Sequence, residues 1–204
     1  MFVLPKIVLA SGNAGKIREI AELFADLNAE IIPQAALDIV SPEETGTTFI
    51  ENALLKARYA AQQSGLPAIA DDSGIVVDAL DGRPGVYSAR YAGEGATDEQ
   101  NVDLLLEEMT DVDSDHRGGG FHCAAVLAFP GDEFEPIIAE GNWRGMILRQ
   151  RLGEGGFGYD PVFLDVSSNK TGAQMTRDEK NAVSHRGKAF RELKSMIGEQ
   201  MAST

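Results

Sequence analysis

The 204-residue chain contains a single cysteine, Cys123, so it cannot form an internal disulfide. Structural disulfides belong to oxidising compartments, and this composition does not point to one. No apolar run approaches the roughly 18–20 residues that a membrane-spanning helix needs. The opening Met1-Phe2-Val3-Leu4-Pro5-Lys6 lacks a basic segment ahead of an apolar core, so no secretory signal is expected. A reducing cytoplasm is the expected compartment, with no membrane partner. Cationic side chains are scarce as well: 18 Lys and Arg stand against 32 Asp and Glu, a net charge of −14. That imbalance argues against broad electrostatic binding to nucleic acid or an anionic membrane. It also repels polyphosphate, so a phosphate site must depend on a few placed lysines and arginines or on a metal ion.

The length suits one domain with a substantial core. Ile7-Val8-Leu9-Ala10 reads as a buried strand and Ser11 to Lys16 as the loop after it. A helix follows, with Ile17, Ile20, Phe24 and Leu27 at helical spacing and Glu19, Glu22 and Asp26 elsewhere. Ile31-Ile32 begins a second strand. Thr48-Phe49-Ile50-Glu51 has the form of a capping box, and its helix is expected to stop near Gly65. Thr97 to Gln100 repeats the box. Residues 121–129 read as a central strand, turned by Pro130-Gly131-Asp132, with 135–149 returning antiparallel. The last helix is expected from Ser184 onward, carrying Ala189, Phe190, Leu193 and Ile197. Strand–loop–helix units first and hairpins later predict an α/β fold with a mixed sheet.

The most informative stretch is Ala70-Asp71-Asp72-Ser73-Gly74. It follows the apolar run to Ile69 and reads as a strand end that turns and resumes at Ile75. Adjacent carboxylates there repel each other and suggest a cation; magnesium takes one or two carboxylates plus substrate phosphates. The competing reading is a solvated turn, because Asp-Ser-Gly is good turn chemistry.

Ser11-Gly12-Asn13-Ala14-Gly15-Lys16 joins a strand to a helix, where backbone N–H groups and the helix dipole can face an anion and Lys16 can reach a phosphate. It is not a Walker A loop, since Ile17 stands where a Ser or Thr should hold magnesium. Gly153 to Gly158 match Gly-x-Gly-x-x-Gly literally, but Tyr159-Asp160-Pro161 follow, and proline is a poor way to continue a helix. A glycine-rich loop that approaches a flat ligand, with Phe157 or Tyr159 for stacking, is the expected form. Ser184-His185-Arg186-Gly187 opens the final helix with Lys180 four residues upstream, a suitable start for holding an oxo group or phosphate. His122 is expected to be a satisfied core histidine and Trp143 a packing residue. His122 and Cys123 lack the spacing of a zinc site.

Taken together, these segments resemble the non-canonical purine nucleoside triphosphate pyrophosphatases, the inosine/xanthosine triphosphate pyrophosphatases. The likeness rests on Ser11 to Lys16, Thr48 to Ala53 with Lys56, and Ala70 to Gly74. It continues through Pro84 to Tyr91, Gly156 to Pro161 and Ser184 to Gly187. It runs in order from about residue 6 to residue 197. The resemblance implies one domain, residues 1–204, with an elongated twisted mixed sheet flanked by helices and two lobes with a substrate cleft between them. It implies magnesium and a homodimer, and hydrolysis of dITP, ITP or XTP to the monophosphate and pyrophosphate, which removes deaminated purines from the nucleotide pool.

Carried over residue by residue, Asp72 is the proton acceptor and a magnesium ligand. Glu43 resembles the other metal carboxylate, with Glu44 beside it as the alternative. Ser11, Gly12, Asn13, Ala14, Gly15 and Lys16 resemble the phosphate-contacting segment, and Lys56 and Ser73 belong to the same site. Phe157, Gly158, Tyr159, Asp160, Lys180, His185 and Arg186 resemble the nucleobase contacts. Gln174 departs from the family, which usually has glutamate there. Two other readings compete: a nucleotide-binding sensor without turnover, and a pyrophosphatase acting on modified pyrimidines.

Overall fold

The computed structural model describes residues 5–24, 29–131 and 133–202. Leu27, Asp26 and Asp132 from the expectations above lie outside them. Among the described residues seven strands form one sheet in the order β2-β1-β3-β4-β5-β6-β7. They are β1 Lys6–Leu9, β2 Glu30–Pro33, β3 Ala68–Val77, β4 Gly118–Ala128, β5 Ile137–Ile147, β6 Phe163–Asp165 and β7 Lys170–Thr171. β1 pairs in parallel with β2 and β3, whereas β6 pairs antiparallel with β5 and β7. The sheet is therefore mixed, as predicted. Its helices are α1 Ala14–Leu23, α2 Phe49–Ser64, α3 Asp98–Glu108, α4 Arg177–Val183 and α5 His185–Ala202. The chain divides into two compact units.

The first unit comprises Met1–Asp72, Cys123–Gly141 and Arg186–Thr204. Strand alternation gives it two cores. Ile7, Leu9, Ile69, Cys123, Ala125 and Leu127 lie in one with Ile20 and Phe24 of the α1 region and Phe190, Leu193 and Ile197 of α5. Phe24 and Phe190 meet edge to face at 5.6 Å. Val8, Ala68, Ala70, Ala124 and Val126 lie in the other with Ala53, Ala57, Ala60 and Ala61 of α2. Strands covered on both faces read as continuous apolar runs, which is why β1 was legible. α2 begins at the capping box expected from the sequence, Thr48 with Glu51, and its C-cap is Gly65.

The second unit comprises Ser73–His122 and Asn142–His185. Its core gathers Ile75, Val77, Val102, Leu105, Met109, Phe121, Trp143 and Phe163. Trp143 packs there as expected, within 4.6 Å of the Phe163 ring. His122 differs from expectation: it is only half-buried, and its Nδ1 sits 2.8 Å from Asn142 Oδ1.

Two strand assignments need correction. β4 starts at Gly118 rather than Phe121; a side chain at Gly120 would bring a Cβ to 2.6 Å from the Trp143 carbonyl, so the glycines permit close backbone approach. β3 does not turn at Ser73-Gly74. It runs unbroken through both aspartates to Val77.

Candidate active site

Because β3 continues through Asp71 and Asp72, its alternation turns their side chains to opposite faces, and they do not share a cation from one side. Asp72 shares the parity of Ala68 and Ala70, the face covered by α2. On α2, Asn52 and Lys56 are four residues apart and both lie on the buried stripe of alanines, so both side chains reach the strand. The Lys56 ammonium lies 3.0 Å from Asp72 Oδ1 and 2.6 Å from Glu44 Oε1. Asn52 Nδ2 donates to Asp72 Oδ2 at 3.3 Å, and Asn52 Oδ1 accepts the Gly46 N–H at 2.7 Å. That amide links the loop before α2 to the carboxylate. Glu43, the sequence candidate for the metal, is exposed, while its neighbour Glu44 is the one drawn to Lys56.

Burial is the strongest influence on Asp72 and pushes its carboxyl above the usual range; Lys56 and Lys16 oppose the shift and Glu44 adds to it. Burial also opposes the Lys56 charge, but Asp72, Glu44 and Asp71 outweigh it and hold the ammonium above its ordinary pKa. Two carboxylates around one ammonium leave a net negative seat. Among the described residues no three His, Cys, Asp or Glu side chains gather to hold a metal ion.

Asp71 shares the parity of Ile69, on the face covered by α1 and α5. It pairs with Lys16 of α1 at 3.0 Å and with Arg186 of α5 at 3.4 Å. Arg186 also reaches Glu19 of α1 at 2.5 Å. Burial disfavours this guanidinium, but Asp71 and Glu19 more than compensate and strengthen its hold on the proton. Lys16 is part-buried with its ammonium on Asp71. In the loop ahead of it, Asn13 caps α1: its Oδ1 accepts the N–H groups of Gly15 at 2.8 Å and Lys16 at 3.1 Å. Ser11 Oγ accepts the Asn13 N–H at 3.2 Å. Three N–H groups of the expected anion cradle therefore have partners within the loop itself. Gly12 and Ala14 are exposed, and Ser73, next to Asp72, is half-buried.

The remaining candidates lie in the second unit, apart from Arg186. Phe157, Gly158, Tyr159 and Asp160 form turns and no helix follows them, so the Gly-x-Gly-x-x-Gly match is not a dinucleotide fingerprint. Lys180 Nζ lies 2.6 Å from Asp160 Oδ2 and 4.7 Å from the centre of the half-buried Phe157 ring. Tyr159 is not available as a stacking surface: it is 5% exposed and donates its hydroxyl hydrogen to the Ser88 carbonyl at 2.9 Å. His185 is buried, its ring 4.7 Å from Phe121 and nearly parallel to it. Gln174 closes a capping box by accepting the Thr171 N–H at 3.0 Å, work that a glutamine does as well as a glutamate. Sequence reasoning assigned no role to Asn52 or Glu19; the signal for Asn52 was a polar residue on an otherwise alanine-rich helix stripe.

A model of the Ham1 family matches residues 7–196. The dITP/XTP pyrophosphatase of Escherichia coli K12 is 53% identical over 190 residues, 93% of this chain and 96% of the relative. That of Pectobacterium atrosepticum is 55% identical over the same shares. Among solved structures, a HAM1 protein from Coxiella burnetii superposes with a TM-score of 0.88 at 46% identity, covering 95% of this chain and 98% of that one. With the family model and these relatives spanning nearly its whole length, the chain belongs to the Ham1 family.

Proposed function

We propose that this protein hydrolyses non-canonical purine nucleoside triphosphates, dITP, ITP and XTP, to the monophosphate and pyrophosphate. The observation that carries the chemistry is the buried Asp72 carboxylate held by Lys56 and Asn52, with Glu44 on the same ammonium. The substrate class is supported by relatives more than half identical that bear the name dITP/XTP pyrophosphatase.

Water attacks the α-phosphorus, the bond to the bridging oxygen of the β-phosphate breaks, and pyrophosphate leaves. Asp72 takes the proton from the attacking water. Its raised pKa brings it closer to the operating pH, which suits a general base, and such a group contributes about 10²–10⁴-fold. Lys16, Lys56 and Ser73, with the segment from Ser11, bind the triphosphate in a protein whose surface otherwise repels it. Magnesium fits the donor set, because Asp72 with Glu44 or Glu43 offers the one or two hard carboxylates that this ion takes alongside substrate phosphates. When bound it would neutralise phosphate charge and ease deprotonation of water.

Phe157 would stack on the base, with Gly158, Tyr159, Asp160, Lys180, His185 and Arg186 completing the base-reading set. Donors facing position 6 would donate to the oxo group of hypoxanthine or xanthine and reject the amino group of adenine. Sites of this kind discriminate by about 10⁴–10⁵. Guanine shares the 6-oxo group, so its exclusion falls to its 2-amino group, which a donor facing position 2 would repel.

The proposal extends to one two-lobed domain acting as a cytoplasmic homodimer without nucleic-acid or membrane partners. Among the described residues no helix is long and apolar enough to cross a membrane. Pyrophosphate release from dITP, XTP, dATP, dGTP and dUTP with magnesium tests the reading. Turnover of dITP and XTP well above the other three is expected. Binding without turnover would make the protein a sensor, and preference for dUTP would make it a pyrimidine enzyme.

A further inference from the structure

Asn52 is fully buried on α2, and its amide is satisfied at both ends. Oδ1 accepts the Gly46 N–H at 2.7 Å, and Nδ2 donates to Asp72 Oδ2 at 3.3 Å. These partners fix which way the amide faces, because only its oxygen accepts from an N–H and only its nitrogen donates to a carboxylate. Gly46 is fitted to the contact. A Cβ there would stand 2.6 Å from Asn52 Oδ1 and 2.7 Å from Glu51 Cβ, so any side chain would push the loop away. The segment ahead of Gly46 has a second anchor, where the buried Gln34 donates to Ser41 Oγ at 2.6 Å. Glu43 and Glu44 lie between the two anchors, on backbone that is neither helix nor strand. Glu44 reaches Lys56, the same ammonium that meets Asp72. All of these residues belong to the first unit.

We propose that Asn52 is a positioning residue for the metal-binding carboxylates: it fastens the loop that carries Glu43 and Glu44 to Asp72, so that strand and loop present their carboxylates together. This inference rests on the proposed function above. Asp72 is placed by its strand, whereas a loop glutamate stays beside a second carboxylate only if something holds the loop against their repulsion. Lys56 attracts both by charge, and a divalent cation competes with that attraction. The amide is neutral and keeps its grip with or without a cation. An aspartate in its place could still accept from Gly46 but would repel Asp72. Groups that orient carboxylate ligands by hydrogen bonds are worth about 10–100-fold in metal affinity or activity.

The test measures manganese ion affinity by water-proton relaxation, with a dITP analogue whose α,β-bridging oxygen is replaced by NH, so that no turnover is needed. It compares the wild type, Asn52→Leu, Gly46→Ala and the double variant, alongside a thermal melt of each and kcat and KM for dITP across magnesium concentrations. Wild-type protein that does not hydrolyse dITP overturns the functional reading and this inference with it. In an active enzyme, Asn52→Leu and Gly46→Ala should each weaken manganese binding by about tenfold or more. Their kcat should fall most at limiting magnesium, with KM for dITP at saturating magnesium little changed. Losses in the double variant should not multiply, because the two residues make one contact. A purely structural role would lower the melting temperature and leave metal affinity where it was. That result in folded Asn52→Leu, or losses that multiply, overturns the inference. If Asn52→Leu does not melt cooperatively, Gly46→Ala decides. It keeps the amide and displaces only the loop, and an unchanged manganese affinity overturns the inference.

Discussion

Asp71 and Asp72 are neighbours in β3 whose carboxylates serve opposite faces of the sheet: Asp71 holds Lys16 and Arg186, and Asp72 holds Lys56. Strand alternation separates two like charges that would otherwise repel, and each finds cations delivered by a different helix.

The two aspartates should fail differently when neutralised. Asp72→Asn removes the proposed base but leaves Lys56 with Glu44, so the protein should fold and lose about 10²–10⁴-fold in kcat. Asp71→Asn strips a fully buried partner from Lys16 and Arg186. Breaking a buried pair costs about 3–5 kcal/mol, so its main sign should be a lower melting temperature. Paired melts and steady-state kinetics check this; near-normal kcat in folded Asp72→Asn would sink the assignment.

Lys16→Ala should raise KM for the triphosphate far more than it lowers stability, because Asp71 keeps Arg186 as a partner. The matching change at Lys6, an exposed lysine paired with Glu30, should leave KM unaltered. Equal small effects at the two positions would mean that the first loop is only a turn.

Arg117 should matter for stability alone. Buried at the C-terminal end of α3, it donates to the carbonyls of Met109, Ile147 and Leu148. Arg117→Met leaves these acceptors unsatisfied, which costs about 3 kcal/mol. For a chain of this size that is roughly 6–12 °C in melting temperature. kcat at a temperature well below the melt should be unchanged.

Acid sensitivity should trace in part to Asp165. Burial alone would raise its pKa, but hydrogen bonds from Ser168, Ser167 and Trp143 prevail and hold the carboxyl below the usual range. A depressed folded-state pKa contributes stability above the unfolded value, and this is lost as pH falls through the folded one. The loss therefore belongs to strongly acidic solution, below about pH 4. Melts of the wild type and Asp165→Asn across that window should converge as pH falls, with the variant less stable near neutrality.

Local signals carried much of the fold. Thr48 with Glu51, and Thr97 with Gln100, marked α2 and α3 because a capping box is written within four residues. α4 carries the same signature in Thr176 and Glu179, yet seven residues are too few to display an apolar stripe. β3 was misread as turning because Asp-Asp-Ser-Gly is turn chemistry by composition. It stays extended between β1 and β4 in the sheet, with its carboxylates paired to Lys16, Lys56 and Arg186. The start of β4 was hidden by Gly118 to Gly120, whose strand role depends on the backbone lying against them. Within the candidate site, Asp72, Lys56 and Lys16 were legible from residue type and motif. Asn52 and Glu19 became visible only through their partners, Asp72 and Arg186.

Isotope placement tests the central claim most directly. The protein is incubated with dITP and magnesium in water labelled with heavy oxygen, and the products are weighed by mass spectrometry. Attack at the α-phosphorus with Asp72 as base predicts one labelled oxygen in dIMP and none in pyrophosphate, with the reaction nearly abolished in folded Asp72→Asn. Label in pyrophosphate or in released inorganic phosphate would contradict the account.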